Sequence, residues 1–107
     1  MEIAQYAIVS INLDPTLGSE IKKTRPCVIV SPDEMNKHLN TIVIAPMTST
    51  MKRYPTRVPV EHAGKKGMIA IDQIRSVDKV RILKILGNLS KSEIKTCKAI
   101  IKETFVD

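Results

Sequence analysis

Tryptophan is missing from this sequence, phenylalanine occurs once, and aromatics make up only 3% of the chain. A core must therefore be assembled from Ile, Val, Leu and Met, and few rings are on hand to stack on nucleic-acid bases. Cysteine is almost as scarce. With only Cys27 and Cys97, a disulfide scaffold or a cysteine-rich zinc site is excluded. Both lie in apolar patterns, where a free thiol acts as a small hydrophobe. A reducing cytoplasm fits that usage, and Cys27, embedded in an apolar run, is no nucleophile. The only histidines, His38 and His62, have no second ligand at metal-binding spacing. Both fall in turn-like segments and read as surface residues, with a histidine acid–base pair as the alternative. The chain does not open with a basic stretch and a long apolar run, so no signal peptide is expected. No apolar run is long enough to cross a bilayer. Walker loop, dinucleotide fingerprint and serine-hydrolase elbow are all missing.

What is present points to one folded domain spanning residues 1–107. The length suits a single core that needs no metal or disulfide, and 43% hydrophobic residues can build it. Seventeen Lys and Arg stand against 11 acids, for a net charge of +6. Such a balance favours anionic partners (RNA, DNA, a membrane surface or an acidic protein), and it serves solubility equally well.

Short apolar runs separated by turn residues predict strands. "YAIVSINL" (6–13) alternates. "DPTLGSEIKKT" follows as a loop, opened by Asp14-Pro15 and loosened by Gly18. Residues 26–31 are continuously apolar, as in a strand covered on both faces. "PDEMNKHLN" predicts a short helical turn, and "TIVIAPM" (41–47) another buried strand. "TSTMKRYPTR" is a polar, basic loop. In "RVPVE" (57–61), a shorter strand, Pro59 argues for an edge or a bulge. "HAGKKG" reads as a turn, "MIAIDQIRSV" (68–77) as one strong strand that alternates up to an irregularity after Gln73, and "KVRILKILG" as one further strand or two. The period then changes. Ser90 and Glu93 fit a capping box, and Ile94, Cys97, Ile101 and Phe105 recur at helical spacing. Lys91, Lys95, Lys98 and Lys102 form the solvated stripe of that helix. The expected fold is mainly β: a strongly curved antiparallel sheet or small barrel with a C-terminal α-helix.

Two strand-end positions carry the candidate chemistry. Arg25 enters the second strand, and Thr48, followed by Ser49, Thr50, Lys52 and Arg53, leaves the third. If these strands are antiparallel neighbours, Arg25 and Thr48 share one end of the sheet. An arginine fork holds two phosphate oxygens at once, and a threonine hydroxyl can donate beside it. The residues alone leave two choices at each position. Arg25 is a phosphate clamp or an ion pair to Glu20 or Asp14; Thr48 is a proton donor or a loop cap.

In order and spacing, "INLDPTLGSE", "TRPCVIVSP", "IVIAPMTST" and "IDQIRSVDK" resemble the signature blocks of MazF/PemK-type toxins of type II toxin–antitoxin modules. The resemblance implies an SH3-like barrel of the CcdB/PemK-like kind, a homodimer, and metal-independent, sequence-specific cleavage of single-stranded mRNA. No cofactor is implied. The 2′-hydroxyl would attack the adjacent phosphate, giving a 2′,3′-cyclic phosphate and a 5′-hydroxyl, a reaction closed to DNA. The family's catalytic arginine falls on Arg25 and its threonine on Thr48. Ser19 and Glu20 fall at the RNA groove, with Glu20 alternatively pairing Arg25. Ser49, Thr50, Lys52 and Arg53 would contact phosphates, and Gln73 would read a base edge or be an ordinary strand-surface residue. Arg75 is expected to be structural. The implied protein partner is an acidic antitoxin competing with RNA for the groove. The sequence departs from the pattern at Tyr6-Ala7, where Gly-Asp is usual, with turn geometry the expected casualty. A family branch with a histidine at the Ser19 position and an arginine at the Ala70 position uses the aspartate aligned with Asp72. Both partners are missing here, so Asp72 is expected to be structural. The alternatives are a CcdB-like binding toxin acting on DNA gyrase, which would leave Arg25 and Thr48 without a catalytic task, or an inactive family member.

Overall fold

A computed structural model describes residues 3–13 and 24–106. In chain order its elements are β1 (Ala7–Asn12), β2 (Thr24–Ile29), α1 (Asp33–His38), β3 (Thr41–Thr48), β4 (Arg57–His62), β5 (Lys65–Ala70), β6 (Arg75–Asp78), β7 (Ile82–Asn88) and α2 (Lys91–Phe105). The seven strands form one curled antiparallel sheet in the order β4-β5-β3-β2-β1-β7. β6 pairs with the first half of β3, from Thr41 opposite Asp78 to Ile44 opposite Arg75. β5 takes over at the far end, where Met47 faces Ile69 and Thr48 faces Met68. One edge of β3 thus serves two strands in succession, which rolls the sheet into an open barrel.

The strands belong to two cores because alternate residues of an extended chain face opposite ways. Ile8, Val28 and Ala45 face one side, with Val58, Val60, Ile69, Ile71, Leu89 and Cys97. Val9, Ile11, Cys27, Ile29, Ile42 and Ile44 face the other, with Val77 and Ile82. This double cover accounts for the unbroken apolar run of β2. Burial pushes the Cys27 thiol up to about 12 against the opposing fields of Arg25 and Arg75. It likewise raises the Cys97 thiol to about 11, so neither sulfur is a ready nucleophile.

The capping box forms as expected. Ser90 Oγ accepts from the Glu93 amide at 3.2 Å, and Glu93 accepts from the Ser90 amide at 2.8 Å. Ile94, Cys97, Ile100 and Ile101 of α2 pack on the first core. Phe105, expected on that face, is instead 58% exposed at the last residue of the helix. Lys91, Lys95, Lys98 and Lys102 are all exposed, as the solvated stripe requires, and Lys98 Nζ lies 6.0 Å from the Tyr6 ring centroid.

Two expectations need correction. Residues 68–77 are not one strand: Ile71–Gln73 form a 3-10 turn between β5 and β6. The turn carries the chain from β5, paired with the far end of β3, to β6, paired with its first half. The turn in "HAGKKG" is only Ala63-Gly64, since His62 already pairs with Lys65. Both turn residues have positive φ, 53° and 76°, as in a tight two-residue hairpin. "KVRILKILG" gives one strand, preceded by a 3-10 turn at Lys79–Arg81. β4 is an edge strand, in keeping with Pro59, with the proline exposed.

Tyr6, at the site where the family pattern has glycine, has φ 68°. Left-handed backbone costs a side-chain-bearing residue about 1–2 kcal/mol. Two hydrogen bonds hold it there: the Tyr6 amide donates to the Ile29 carbonyl at 2.6 Å, and the Leu89 amide donates to the Tyr6 carbonyl at 3.1 Å. The departure from Gly-Asp therefore bears on turn geometry at a point away from the strand ends carrying Arg25 and Thr48.

Candidate active site

β2 and β3 are antiparallel neighbours, with Cys27 opposite Pro46 and Val28 opposite Ala45. Carried on by two residues, that register sets Arg25 against Thr48. Arg25 shares the face of Cys27, whose thiol feels its charge, but lies beyond the buried part of the strand and is exposed. The Thr48 hydroxyl accepts from the Thr50 amide at 3.1 Å. It is thus a loop cap, and its own proton remains available to donate. Capping and donating are compatible, because a hydroxyl accepts and donates at once.

Two clefts meet at this pair. One, of about 550 Å³, is lined by Pro26, Met47, Ser49, His62, Lys65, Lys66 and Leu86 besides Arg25 and Thr48. The other, of about 290 Å³, has Thr50, Lys52, Tyr54, Arg57 and Gln73 beside the same two residues. No described residue lining either cleft is acidic, while Arg25, Lys65 and Lys66 serve the first and Arg25, Lys52 and Arg57 the second. A phosphodiester chain is the natural match for such a run of donors.

The wall of the second cleft is a fixed cluster. Arg57 donates from Nε to Asp72 Oδ1 at 2.9 Å and from Nη2 to Oδ2 at 3.4 Å, and Thr56 Oγ1 donates to Asp72 Oδ1 at 2.9 Å. The hydrogen bond from Arg57 holds the Asp72 carboxyl below the usual carboxylate range, with Thr56 adding to it. The Tyr54 ring lies 5.2 Å from the Arg57 guanidinium carbon and 5.9 Å from Lys52 Nζ. Asp72 thus holds Arg57 and Thr56, and Arg57 in turn lies beside the Tyr54 ring.

The first cleft is shaped by backbone. A Cβ on Gly67 would meet the Thr48 carbonyl oxygen at 2.8 Å, and one on Gly87 would meet the His62 ring at 2.9 Å. β5 and β7 approach the site closely because these positions lack side chains.

Of the positions expected at the RNA surface, Ser49 lines the first cleft, and Thr50, Lys52 and Gln73 line the second. Gln73 sits in the 3-10 turn rather than on a strand. Arg53 is exposed and lines neither cleft. Ser19 and Glu20 lie outside the described residues, as does any pairing of Arg25 with Glu20 or Asp14. Arg75 is exposed on β6. His38 is exposed at the end of α1, but His62 is half-buried at the first cleft. No group of three His, Cys, Asp or Glu among the described residues is placed to hold a metal ion, and no described helix is long and apolar enough to cross a membrane.

The family of PemK-like, MazF-like toxins of type II toxin–antitoxin systems matches residues 4–105. This chain belongs to that family. It is 34% identical over 90 residues to the endoribonuclease MazF of Staphylococcus saprophyticus, covering 78% of this chain and 75% of that one. Its fold matches MazF in a MazE–MazF crystal structure from Deinococcus radiodurans, with a TM-score of 0.83 at 24% identity, over 97% of this chain and 96% of the other. It also matches the Mycobacterium tuberculosis toxin MazF-mt6, with a TM-score of 0.78 at 22% identity, over 92% and 95%.

Within this MazF-like chain, sequence reasoning missed Tyr54, Arg57 and His62. The Arg57–Asp72 pair spans 15 residues and leaves no local pattern. His62 had a signal: Ala63-Gly64 between two polar residues marks a two-residue hairpin, which sets His62 at its mouth.

Proposed function

We propose that this MazF-like endoribonuclease toxin cuts single-stranded mRNA at a preferred sequence, in the cytoplasm and without a metal, using the RNA's own 2′-hydroxyl as nucleophile. Arg25 and Thr48 on the rim common to two cationic clefts carry the reading. A strand laid across that rim has its phosphate between the guanidinium and the hydroxyl, and one nucleoside on each side. Arg25 holds the non-bridging oxygens and stabilises the charge that grows on them as the O2′–P bond forms. As the P–O5′ bond breaks, Arg25 supplies the proton that O5′ takes up, and Thr48 donates to the reacting phosphate. Ser49, Thr50 and Lys52 hold neighbouring phosphates with help from Arg53, and Gln73 meets a base edge. Ser19 and Glu20 border the groove.

The toxin is a homodimer in this account. Leu83 and Ile85, 53% and 45% exposed, share one face of β7, and Val80, 81% exposed, stands just before it. Such apolar exposure fits burial against a second copy. An acidic antitoxin occupies the same cationic clefts and excludes RNA by competition.

Incubating the protein with a long RNA in the presence of a chelator tests this. Discrete cuts bearing 2′,3′-cyclic phosphate and 5′-hydroxyl ends are expected. An intact RNA, or cuts leaving 5′-phosphates, would overturn it.

A further inference from the structure

The proposed reaction still needs a group assigned to take the proton from the attacking 2′-hydroxyl. Arginine holds its protons too tightly for that role, and threonine gives up its own too reluctantly. Among the described side chains lining the first cleft, only His62 carries an imidazole, the side chain most often used as a general base.

His62 is held there from three sides. It closes the β4–β5 hairpin, paired with Lys65 across Ala63 and Gly64. Its ring rests on Gly87 of β7, where even a methyl group would touch it at 2.9 Å. Behind it, Glu93 of α2 accepts from the neighbouring Glu61 amide at 2.9 Å, tying the strand to the helix. Burial opposes charge on Glu93, but the amides of Ser90 and Glu61, the Ser90 hydroxyl and the field of His62 outweigh it and hold the carboxyl below its usual range. The charged groups around the imidazole are thus Glu93 from α2, Lys65 and Lys66 from β5, Arg25 from β2 and the adjoining Glu61 of β4. β7 brings only Gly87 and Leu86.

We infer that His62 is the general base of this toxin, acting on the 2′-hydroxyl of a nucleotide seated in the first cleft. This rests on the endoribonuclease mechanism proposed above. The proton leaves O2′ for the imidazole as the O2′–P bond forms. The P–O5′ bond breaks, and O5′ departs with a proton from Arg25. Solvent water then carries the proton from the imidazolium and restores the one lost by the guanidinium. Lys65 and Lys66 attract the RNA on this side, and the apolar Met47 and Leu86 suit the sugar and base.

The test is single-turnover cleavage of one RNA across pH 5 to 9 by the wild type, His62→Gln, His62→Ala and Arg25→Ala. In the wild type the rate should fall on the acid side as the imidazole becomes charged. His62→Gln should lose about 10²-fold at neutral pH, lack that acid limb and bind uncleaved RNA as the wild type does. His62→Ala should regain activity with added imidazole. Wild-type rate and acid limb in His62→Gln, with Arg25→Ala inactive, would overturn the role of His62 and leave the proposed function standing. A wild type that cuts no RNA would overturn both.

Discussion

The two clefts flanking Arg25 and Thr48 are built by opposite means. Around the larger one the backbone sets the shape: a two-residue turn aims His62, and Gly67 and Gly87 let β5 and β7 come close. The smaller one is set by side chains, with Asp72 fixing Arg57 and Arg57 fixing the Tyr54 ring. Backbone packing is indifferent to pH and salt but intolerant of an added methyl group. An exposed ion-paired cluster tolerates small changes of volume but answers to protonation and screening. One side of the Arg25–Thr48 rim is thus a rigid wall, and the other an adjustable one.

Arg25→Ala tests what the two clefts share, and the largest effect is expected there. Loss of the phosphate clamp should slow cleavage by about 10²–10³-fold, measured under single turnover, with a near-normal Tm because the side chain is exposed. Gly67→Ala strikes the rigid wall. With the Thr48 carbonyl at 2.8 Å from the new Cβ, β5 must move off β3, at a cost of about 1–3 kcal/mol. A clearly lowered Tm in thermal unfolding, with loss of cleavage, is the expected result. Gly87→Ala is milder, because what it meets is the movable His62 ring. Cleavage should drop by roughly 10-fold, the scale of about 1.4 kcal/mol in a barrier, while Tm stays near wild type. Equal losses of both in Gly87→Ala would contradict the separation of fold from ring placement.

The smallest effect belongs to the adjustable wall. Asp72→Asn frees Arg57 and Tyr54, and should change RNA affinity and the choice of cut sites by a few-fold, on the scale of about 0.5–1 kcal/mol, without abolishing cleavage. The pair also has a pH signature. The Asp72 carboxyl lies below its ordinary range in the folded protein. Its contribution is therefore complete above the usual aspartate range and is lost as pH falls through the lowered folded value. Stability measured against pH should show this acid step in the wild type and not in Asp72→Asn.

Much of this was legible because local chemistry dictated it. Ser90 and Glu93 announced the start of α2, the apolar run of β2 announced double cover, and Pro59 announced an edge. The pairing of Arg25 with Thr48 followed once β2 and β3 were taken as neighbours. Where the sequence misled, tertiary packing overrode pattern. Ile69 to Ile71 are buried together at a turn between two strands, so "MIAIDQIRSV" passed for one strand. Phe105 kept helical spacing but is exposed at the end of α2. The Tyr54–Arg57–Asp72 cluster and the seat of His62 on Gly87 depend on contacts between distant segments, and short-range patterns do not carry them.

The central claim is that the RNA's own 2′-hydroxyl attacks a phosphate held between Arg25 and Thr48. Its most direct test uses an oligoribonucleotide with one mapped cut site and a copy carrying a single 2′-deoxy substitution on the nucleotide 5′ to the scissile phosphate. Cleavage of the first and complete resistance of the second at that bond, with similar binding of both, is the predicted result. Cleavage of the deoxy-substituted bond would mean that another nucleophile does the work, and would contradict the account.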